Sequence, residues 1–151
     1  MIFKSRIFEE IVTDGPLMLK AERKFGWFGN CDVKIYLAET QTMSFHINGT
    51  TDKVSKVVNG LDYPYELVSR NKAVSGDDQY FITNNRNYLF SENYGELLIN
   101  GQPKAKLLLK QKLFGIELTM LPLHGELDQD VKLKSAILIM ANIADLDGSS
   151  P

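Results

Sequence analysis

The chain has 151 residues, which is room for about one domain of roughly 100–150 residues. Hydrophobic residues make up 44% and charged residues 24%, close to the averages of globular proteins, which excludes the disordered and fibrous classes. The 17 Lys and Arg against 19 Asp and Glu give a net charge of −2, without the basic excess that is typical of nucleic-acid-binding proteins. We therefore expect one folded domain over residues 1–151 that does not bind nucleic acid.

Targeting features are absent from the sequence pattern. Charged residues interrupt residues 1–10 every few positions, so this segment lacks the apolar core of a signal peptide. The longest apolar run, residues 136–141, falls far short of the roughly 20 residues of a membrane-spanning helix. The single cysteine, Cys31, excludes an internal disulfide and fits a reducing compartment. These features predict a cytoplasmic protein without a transmembrane segment.

Short apolar–polar alternations predict ten or eleven antiparallel strands, because side chains of a strand point to its two faces in turn. Alternation is strictest in segments 33–37, 43–47 and 116–120. In chain order, the predicted strands are 3–12, 17–27, 33–37, 43–47, 54–58, 65–70, 79–83, 88–91, 96–99, 104–113 and 116–120. An open sheet of this size would leave edges prone to aggregation, so the pattern favours a closed barrel or a sandwich.

Turn residues separate these strands. Two-residue type I′ hairpin turns are predicted at three Asn-Gly pairs: Asn48-Gly49, Asn59-Gly60 and Asn100-Gly101. Further turns are predicted at Asp14-Gly15-Pro16, at Gly76-Asp77-Asp78 and at residues 84–87. Turns at this density predict an antiparallel meander.

The last thirty residues change from strand to helix period. A helix is predicted over residues 129–146, with Asp128 or Asp130 as its cap and Asp147-Gly148 as its stop. From residue 136 to 144 only Asn142 is polar, so protein must surround this segment. About 17 helical residues span roughly 25 Å, as do seven or eight strand residues. The predicted fold class is all-β with one buried helix: a closed antiparallel barrel of about 10–12 strands around a hydrophobic C-terminal α-helix.

The start of this helix carries a family resemblance. Residues 127–134 read Leu-Asp-Gln-Asp-Val-Lys-Leu-Lys, followed by an apolar stretch that ends in Ile-Ala-Asp-Leu at residues 143–146. This resembles the phospholipid scramblase pattern Leu-Asp-x-Asp-Val-Lys-x-Lys, which precedes a terminal hydrophobic helix. The chain is thus similar to the tubby C-terminal-like superfamily of tubby proteins, scramblases and plant LURP-one-related proteins. The resemblance implies a barrel around a helix and, as in tubby proteins, binding of phosphoinositide head groups by basic residues on the barrel.

A stripe of lysines lies on the predicted strand 104–113. One strand parity presents Lys104, Lys106, Lys110 and Lys112, over about 26 Å. The opposite parity offers Ala105, Leu107, Leu109 and Leu113 to the core. As an anionic-lipid surface, each lysine would contribute about 1 kcal/mol. The competing interpretation is that these lysines keep the strand soluble and block edge pairing.

Other chemistry-bearing residues favour structural interpretations. His46 and His124 are predicted to be surface polar residues rather than metal ligands. Cys31 is predicted to be a small buried or semi-exposed thiol rather than a nucleophile. The aromatic segment 24–28 suits an interface, but barrel core or a corner against the helix is the favoured interpretation.

The sequence therefore predicts a non-enzymatic binding module without catalytic residues, metal or cofactor. The leading hypothesis is peripheral association with anionic lipid or phosphoinositide surfaces. The alternative is a protein-interaction module of unknown partner that uses an exposed strand edge or groove. A small enzyme with a cavity between helix and barrel is the third hypothesis.

Overall fold

The computed structural model describes residues 1–6, 10–85, 92–144 and 146 of the chain. These residues form twelve strands, a short 3-10 turn at Trp27–Gly29 and one α-helix. The strands are β1 Ile2–Arg6, β2 Ile11–Thr13, β3 Leu19–Phe25, β4 Cys31–Leu37, β5 Thr40–Ile47, β6 Val54–Asn59, β7 Glu66–Ser69, β8 Lys72–Ser75, β9 Asp78–Asn84, β10 Asn93–Ile99, β11 Gln102–Lys112 and β12 Gly115–Pro122. The helix is α1 Gln129–Ile143.

All twelve strands form one antiparallel sheet in the order β6-β5-β4-β3-β2-β1-β12-β11-β10-β9-β8-β7. The first strand, β1, pairs with the last strand, β12. This pairing joins the two halves of the sheet, β1 to β6 and β7 to β12. The two sheet edges, β6 and β7, meet at an isolated bridge between Lys53 and Ser69. Beside it the amide of Arg70 donates to the carbonyl of Asp52 at 3.0 Å. The sheet is therefore a nearly closed barrel, which confirms the predicted fold class.

The helix α1 fills the barrel. Its central residues Ile137, Ile139 and Met140 are fully buried, as are the inward-facing Phe3 of β1 and Leu118 of β12. Every residue of the helix from Ser135 to Ile143 is buried. The prediction that protein surrounds this apolar helix is confirmed.

The helix gives the barrel two distinguishable ends. We call the end at which α1 begins the lower end and the end at which α1 terminates the upper end. Strand directions place the β3–β4, β5–β6 and β11–β12 connections at the upper end. The β2–β3, β4–β5, β6–β7, β8–β9 and β10–β11 connections lie at the lower end, together with residues 123–128.

Charged residues of segment 126–134 hold the start of α1. The carboxylate of Asp128 caps the helix by accepting a hydrogen bond from the amide of Val131 at 2.9 Å, as predicted. Lys132 Nζ lies 3.2 Å from Glu126 Oε1, and Lys134 forms an ion pair with Asp130 at 2.9 Å. The order of charges in this segment therefore has a structural role at the lower end.

The helix ends earlier than predicted, at Ile143 rather than at residue 146. Two arginines from the barrel wall take up its last carbonyls: Arg70 donates to the carbonyl of Asn142 at 2.9 Å and Arg23 to that of Ala144 at 2.9 Å. Positive side chains at a helix C-terminus also offset its dipole. The predicted stop at residues 147–148 lies outside the described residues.

Two strand predictions need correction. The predicted strand 3–12 is two strands, because β1 pairs antiparallel with β2 and the chain must reverse between them. No Gly, Pro or Asn occurs between the two strands, so the apolar–polar alternation of the sequence gives no sign that the chain reverses there. The strand β8 has no predicted counterpart because its four residues are too few to show a period. The predicted strand 88–91 lies outside the described residues.

The Asn100-Gly101 turn is confirmed. Its residues have φ values of 53° and 80°, and they join the paired residues Ile99 and Gln102. Positive φ at both positions is what a type I′ turn requires.

The other two Asn-Gly predictions are wrong as two-residue turns. Asn48 begins a longer loop, in which its side-chain oxygen accepts from the amides of Thr50 and Thr51 at 2.9 and 3.1 Å. Asn59 ends β6, and the residues that follow lead to β7 at the far edge of the sheet. A two-residue turn with positive φ occurs instead at Ala38-Glu39, with φ of 48° and 71°, where hairpin geometry overrides residue preference.

Candidate functional site

The predicted lysine stripe lies on the outer face of β11. Lys106, Lys110 and Lys112 are exposed and Lys104 is half-buried. The alternate residues Ala105, Leu107 and Leu109 are buried in the core. The predicted division of this strand into two faces is confirmed at these positions. Leu113 is the exception: it lies beyond the strand in the β11–β12 turn and is 86% exposed, so its predicted core position is wrong.

Residues of β1 and β12 extend the stripe sideways. Strand register places Lys4 of β1 and Lys110 of β11 on either side of Glu117 of β12. Arg6 and Lys112 flank Gly115 in the same way, and Lys112 Nζ lies 4.0 Å from a carboxylate oxygen of Glu117. We call this surface the basic face, and its basic residues are Lys4, Arg6, Lys104, Lys106, Lys110 and Lys112.

The basic face carries six of the chain's 17 Lys and Arg. Two acids are its direct cross-strand neighbours: Glu117 within it and Glu96, which lies opposite Lys106 at its β10 border. The face is therefore locally positive although the chain has a net charge of −2. A positive patch of this kind attracts anionic surfaces at ranges up to the Debye length.

A groove of about 360 Å³ lies at the upper end of the basic face. Lys4, Arg6, Lys112 and Glu117 line it, and the exposed residues Leu113 and Phe114 form its upper margin. The backbones of β1 and β12 approach closely here, since a Cβ on Gly115 would overlap the carbonyl oxygen of Ser5. Charged and apolar groups thus lie side by side at this hairpin.

Local sequence does not show that Lys4 and Arg6 belong to the basic face. They belong to β1, whereas the stripe lies near the other end of the chain, and only the pairing of β1 with β12 brings them together. Their own parity was a usable signal, because they lie on the polar face of a strand whose other face carries Phe3.

A second groove, of about 460 Å³, lies on the outer face of β3 to β6. Lys24, Lys34 and Lys56 line it, together with a contact of 2.8 Å between His46 Nδ1 and Asp32 Oδ1. His46 faces outward, as predicted, and is half-buried. Within the described ranges, no ion pair engages the three lysines.

The aromatic segment 24–28 does not lie in the core as a whole. Phe25 packs against the core, but Trp27 and Phe28 are 83% and 84% exposed at the upper end. The favoured core interpretation is therefore wrong for these two residues. The chain folds them into a tight 3-10 turn between β3 and β4, which directs both rings outward.

The remaining candidate residues are Cys31 and His124. Cys31 is buried as the first residue of β4, in agreement with the predicted buried thiol. His124 is exposed in the connection that precedes α1. No group of three or more His, Cys, Asp and Glu that could hold a metal ion occurs in the part of the chain that the structure describes. None of the helices in that part is long and apolar enough to cross a membrane.

Three tyrosines at the lower end have raised pKa values. Burial, followed by the charge of Asp130, raises the pKa of Tyr63 to about 12. Burial, followed by the charge of Asp78, raises the pKa of Tyr80 to about 12. Burial raises the pKa of Tyr65 well above its usual value, and its hydroxyl donates to the carbonyl of Lys134 at 2.8 Å. These groups stay neutral at physiological pH, and the hydroxyl of Tyr65 anchors the lower part of α1.

A scan against protein-family models finds no match, and neither a search of curated proteins nor a search of solved structures finds one.

Proposed function

We propose that this chain is a non-enzymatic binding module of the tubby and scramblase-like superfamily that associates peripherally with anionic lipid surfaces through the basic face. The observation that carries the proposal is the convergence of six basic side chains from β1 and β11 on one side of the barrel. The barrel around a C-terminal helix agrees with what the family resemblance implies, which adds support.

The physical basis is electrostatic attraction. Each Lys or Arg near an anionic membrane contributes about 1 kcal/mol, so the four lysines of β11 contribute at most about 4 kcal/mol. Such attraction is sensitive to salt, because the Debye length falls from about 30 Å at 0.01 M to about 8 Å at physiological ionic strength. We therefore expect binding that is tight in low salt and weak in high salt.

The test compares two charge-matched variants in vesicle co-sedimentation. One variant changes Lys104, Lys106, Lys110 and Lys112 to Gln, and the control changes Lys20, Lys34, Lys56 and Lys72 to Gln. Both remove four positive charges from exposed or half-buried positions of the barrel wall, and the control lysines lie outside the connections of the upper end. With vesicles of equimolar phosphatidylcholine and phosphatidylserine, we expect the first variant to lose most of its binding and the control to retain it.

Equal loss in the two variants would show that binding follows net charge rather than the basic face. Unchanged binding of the first variant, or no binding of the unmodified chain at low salt, would contradict the lipid proposal. The lysines would then serve solubility alone.

A protein-interaction module is the second candidate. It is favoured by the line along which the two sheet edges, β6 and β7, meet, which we call the seam. The sheet order places these strands at its two edges, and Val58 and Val68 beside the seam are 61% and 40% exposed. An exposed strand edge can accept an added strand from a partner. A partner bound there should co-purify without lipid, and Val58→Lys with Val68→Lys should release it while the lysine variant of β11 retains it.

A further inference from the structure

Four large apolar side chains are exposed together at the upper end of the barrel. Trp27 and Phe28 are 83% and 84% exposed in the β3–β4 turn, and Leu113 and Phe114 are 86% and 67% exposed in the β11–β12 turn. Only β2 and β1 separate the two hairpins in the sheet, so their nearest strands, β3 and β12, lie roughly 14 Å apart along the sheet at about 4.8 Å per strand. We call these four residues the apolar rim.

Three hydrogen bonds hold the Trp27–Phe28 turn in this exposed position. The amide of Gly26 donates to the carbonyl of Asn30 at 2.8 Å, and that of Asn30 donates to the carbonyl of Trp27 at 3.1 Å. From the β5–β6 loop, the amide of Gly49 donates to the side chain of Asn30 at 2.9 Å. Phe28 has φ 59° and ψ 33°, a strained conformation for a bulky residue. Strain of this kind is concentrated at functional sites.

Charge distinguishes the two ends of the barrel. Arg6 and Lys112 lie beside the β11–β12 turn, and Lys24 lies near the end of β3. Among the described acids of the upper end, Glu10, Asp52 and Glu117 lie 3.9, 3.3 and 4.0 Å from Lys20, Arg70 and Lys112. Asp32 lies 2.8 Å from His46, and Glu92 lies before β10. The loops and helix start of the lower end carry Asp14, Glu39, Asp62, Asp77, Glu126, Asp128 and Asp130, of which Glu126 and Asp130 pair with Lys132 and Lys134. An anionic membrane would therefore attract the upper end and repel the lower end.

We propose that the barrel docks end-on to an anionic bilayer, with the apolar rim in the interfacial layer and the upper part of the basic face against the lipid head groups. This inference rests on the proposed lipid association and adds its orientation. Aromatic side chains favour the membrane interface, and peripheral binding combines buried apolar area with attraction to anionic lipid. At the upper end, the exposed apolar residues supply the apolar area and the neighbouring basic residues supply the attraction to anionic lipid.

In end-on docking, the lysines of β11 contribute unequally to the attraction between the protein and the membrane. Lys104 and Lys112 lie about 26 Å apart along the strand, which is roughly 20 Å in height when the strand tilts by about 40°. With a Debye length of about 8 Å, attraction at Lys104 falls to roughly a tenth of that at Lys112. If the basic face lay flat on the membrane, all four lysines would contribute alike.

Trp27 is the only tryptophan of the chain, so its fluorescence tests the orientation without a label. On addition of equimolar phosphatidylcholine and phosphatidylserine vesicles, we expect its emission to shift to shorter wavelength. Quenching by aqueous acrylamide should fall several-fold, and lipids brominated in the acyl chains should quench the emission.

Two pairs of variants complete the test. Leu113→Ser with Phe114→Ser should weaken vesicle binding about tenfold or more, because the inserted apolar area is lost. Met18→Ser with Leu123→Ser changes exposed apolar residues of the lower end and should leave binding unchanged. Likewise, Lys110→Gln with Lys112→Gln should reduce binding far more than Lys104→Gln with Lys106→Gln.

The outcomes separate this inference from the proposed function. Vesicle binding that depends on the lysines but leaves Trp27 emission unshifted would overturn end-on docking and leave lipid association standing. Equal loss in the two lysine pairs would also overturn it, in favour of a flat basic face. No binding to anionic vesicles at low salt would overturn both proposals.

Discussion

Asn142 is the polar residue on which the position of the buried helix depends most. Its side-chain oxygen accepts from the hydroxyl of Tyr94 at 2.6 Å and from the amide of Asn84 at 3.1 Å. Its side-chain amide donates to the carbonyl of Arg70 at 2.9 Å and to the side-chain oxygen of Asn84 at 3.1 Å. One side chain thus ties α1 to β9, β10 and the β7–β8 turn. We predict that Asn142→Leu, which retains most of the volume, strongly destabilises the fold.

The expected loss follows from the partners left behind. A buried polar group that loses its hydrogen bond costs about 1–3 kcal/mol. Tyr94 is buried and the carbonyl of Arg70 faces the helix, whereas Asn84 is exposed and can turn to water. Two such partners give about 2–6 kcal/mol, a large part of the roughly 5–15 kcal/mol by which a typical domain is stable. In urea unfolding followed by circular dichroism, the midpoint should fall by roughly 1–3 M.

A double-mutant cycle isolates the network. Tyr94→Phe should destabilise the unmodified chain by more than it destabilises the Asn142→Leu background, with a coupling of about 1–3 kcal/mol. The matched control is Ser135→Ala, because Ser135 is also buried on α1 but no hydrogen-bond partner of its hydroxyl lies among the described residues. That change should leave stability unchanged or raise it by about 1 kcal/mol. A urea midpoint of Asn142→Leu at or above that of the unmodified chain would refute this reasoning.

Three further predictions concern the core, a close backbone contact and the tyrosines. Ile139→Asp places an unpaired charge in the core at a cost of several kcal/mol, so the purified protein should show no native circular-dichroism melt; a native melt would contradict the enclosed helix. Gly49→Ala should lower the melting temperature, because its Cβ would overlap the carbonyl oxygen of Phe28; an unchanged melt would show that the loop moves freely. The raised pKa values of Tyr63 and Tyr80, about 12 each, favour the protonated folded state, so stability should be full below about pH 10 and fall towards pH 12. Spectrophotometric titration of the folded protein should show these tyrosines ionising late, and ionisation near pH 10 would refute this.

Much of the barrel was predictable because period-two alternation is a local property. The inward Val33 and Ile35 of β4 and the outward lysines of β11 follow directly from it. The buried helix was equally predictable, since a segment that is apolar on all sides needs protein around it. Chain reversals without Gly, Pro or Asn, such as that between β1 and β2, leave no such local pattern.

The candidate site was predictable only in part, because it combines distant segments. Parity gives the lysines of β11, whereas Lys4 and Arg6 join them through a pairing between the first and last strands. The exposure of Trp27 and Phe28 runs against the usual preference of aromatic residues for the core. It depends on a turn that Asn30 and the distant Gly49 hold in place, and a single sequence does not indicate that contact.

The position of α1 after every strand in the chain has a consequence for how the protein is made. During synthesis the twelve strands emerge before the helix that fills the barrel. Their apolar faces therefore lack the helix against which they pack until it has been synthesised. The pairing of β1 with β12 likewise joins segments at opposite ends of the sequence. Such non-local contacts slow folding, and exposed strand edges in the interval invite aggregation. We therefore expect a nascent chain that depends on chaperones until α1 has emerged from the ribosome. Its yield should rise when translation is slowed and the growth temperature is lowered.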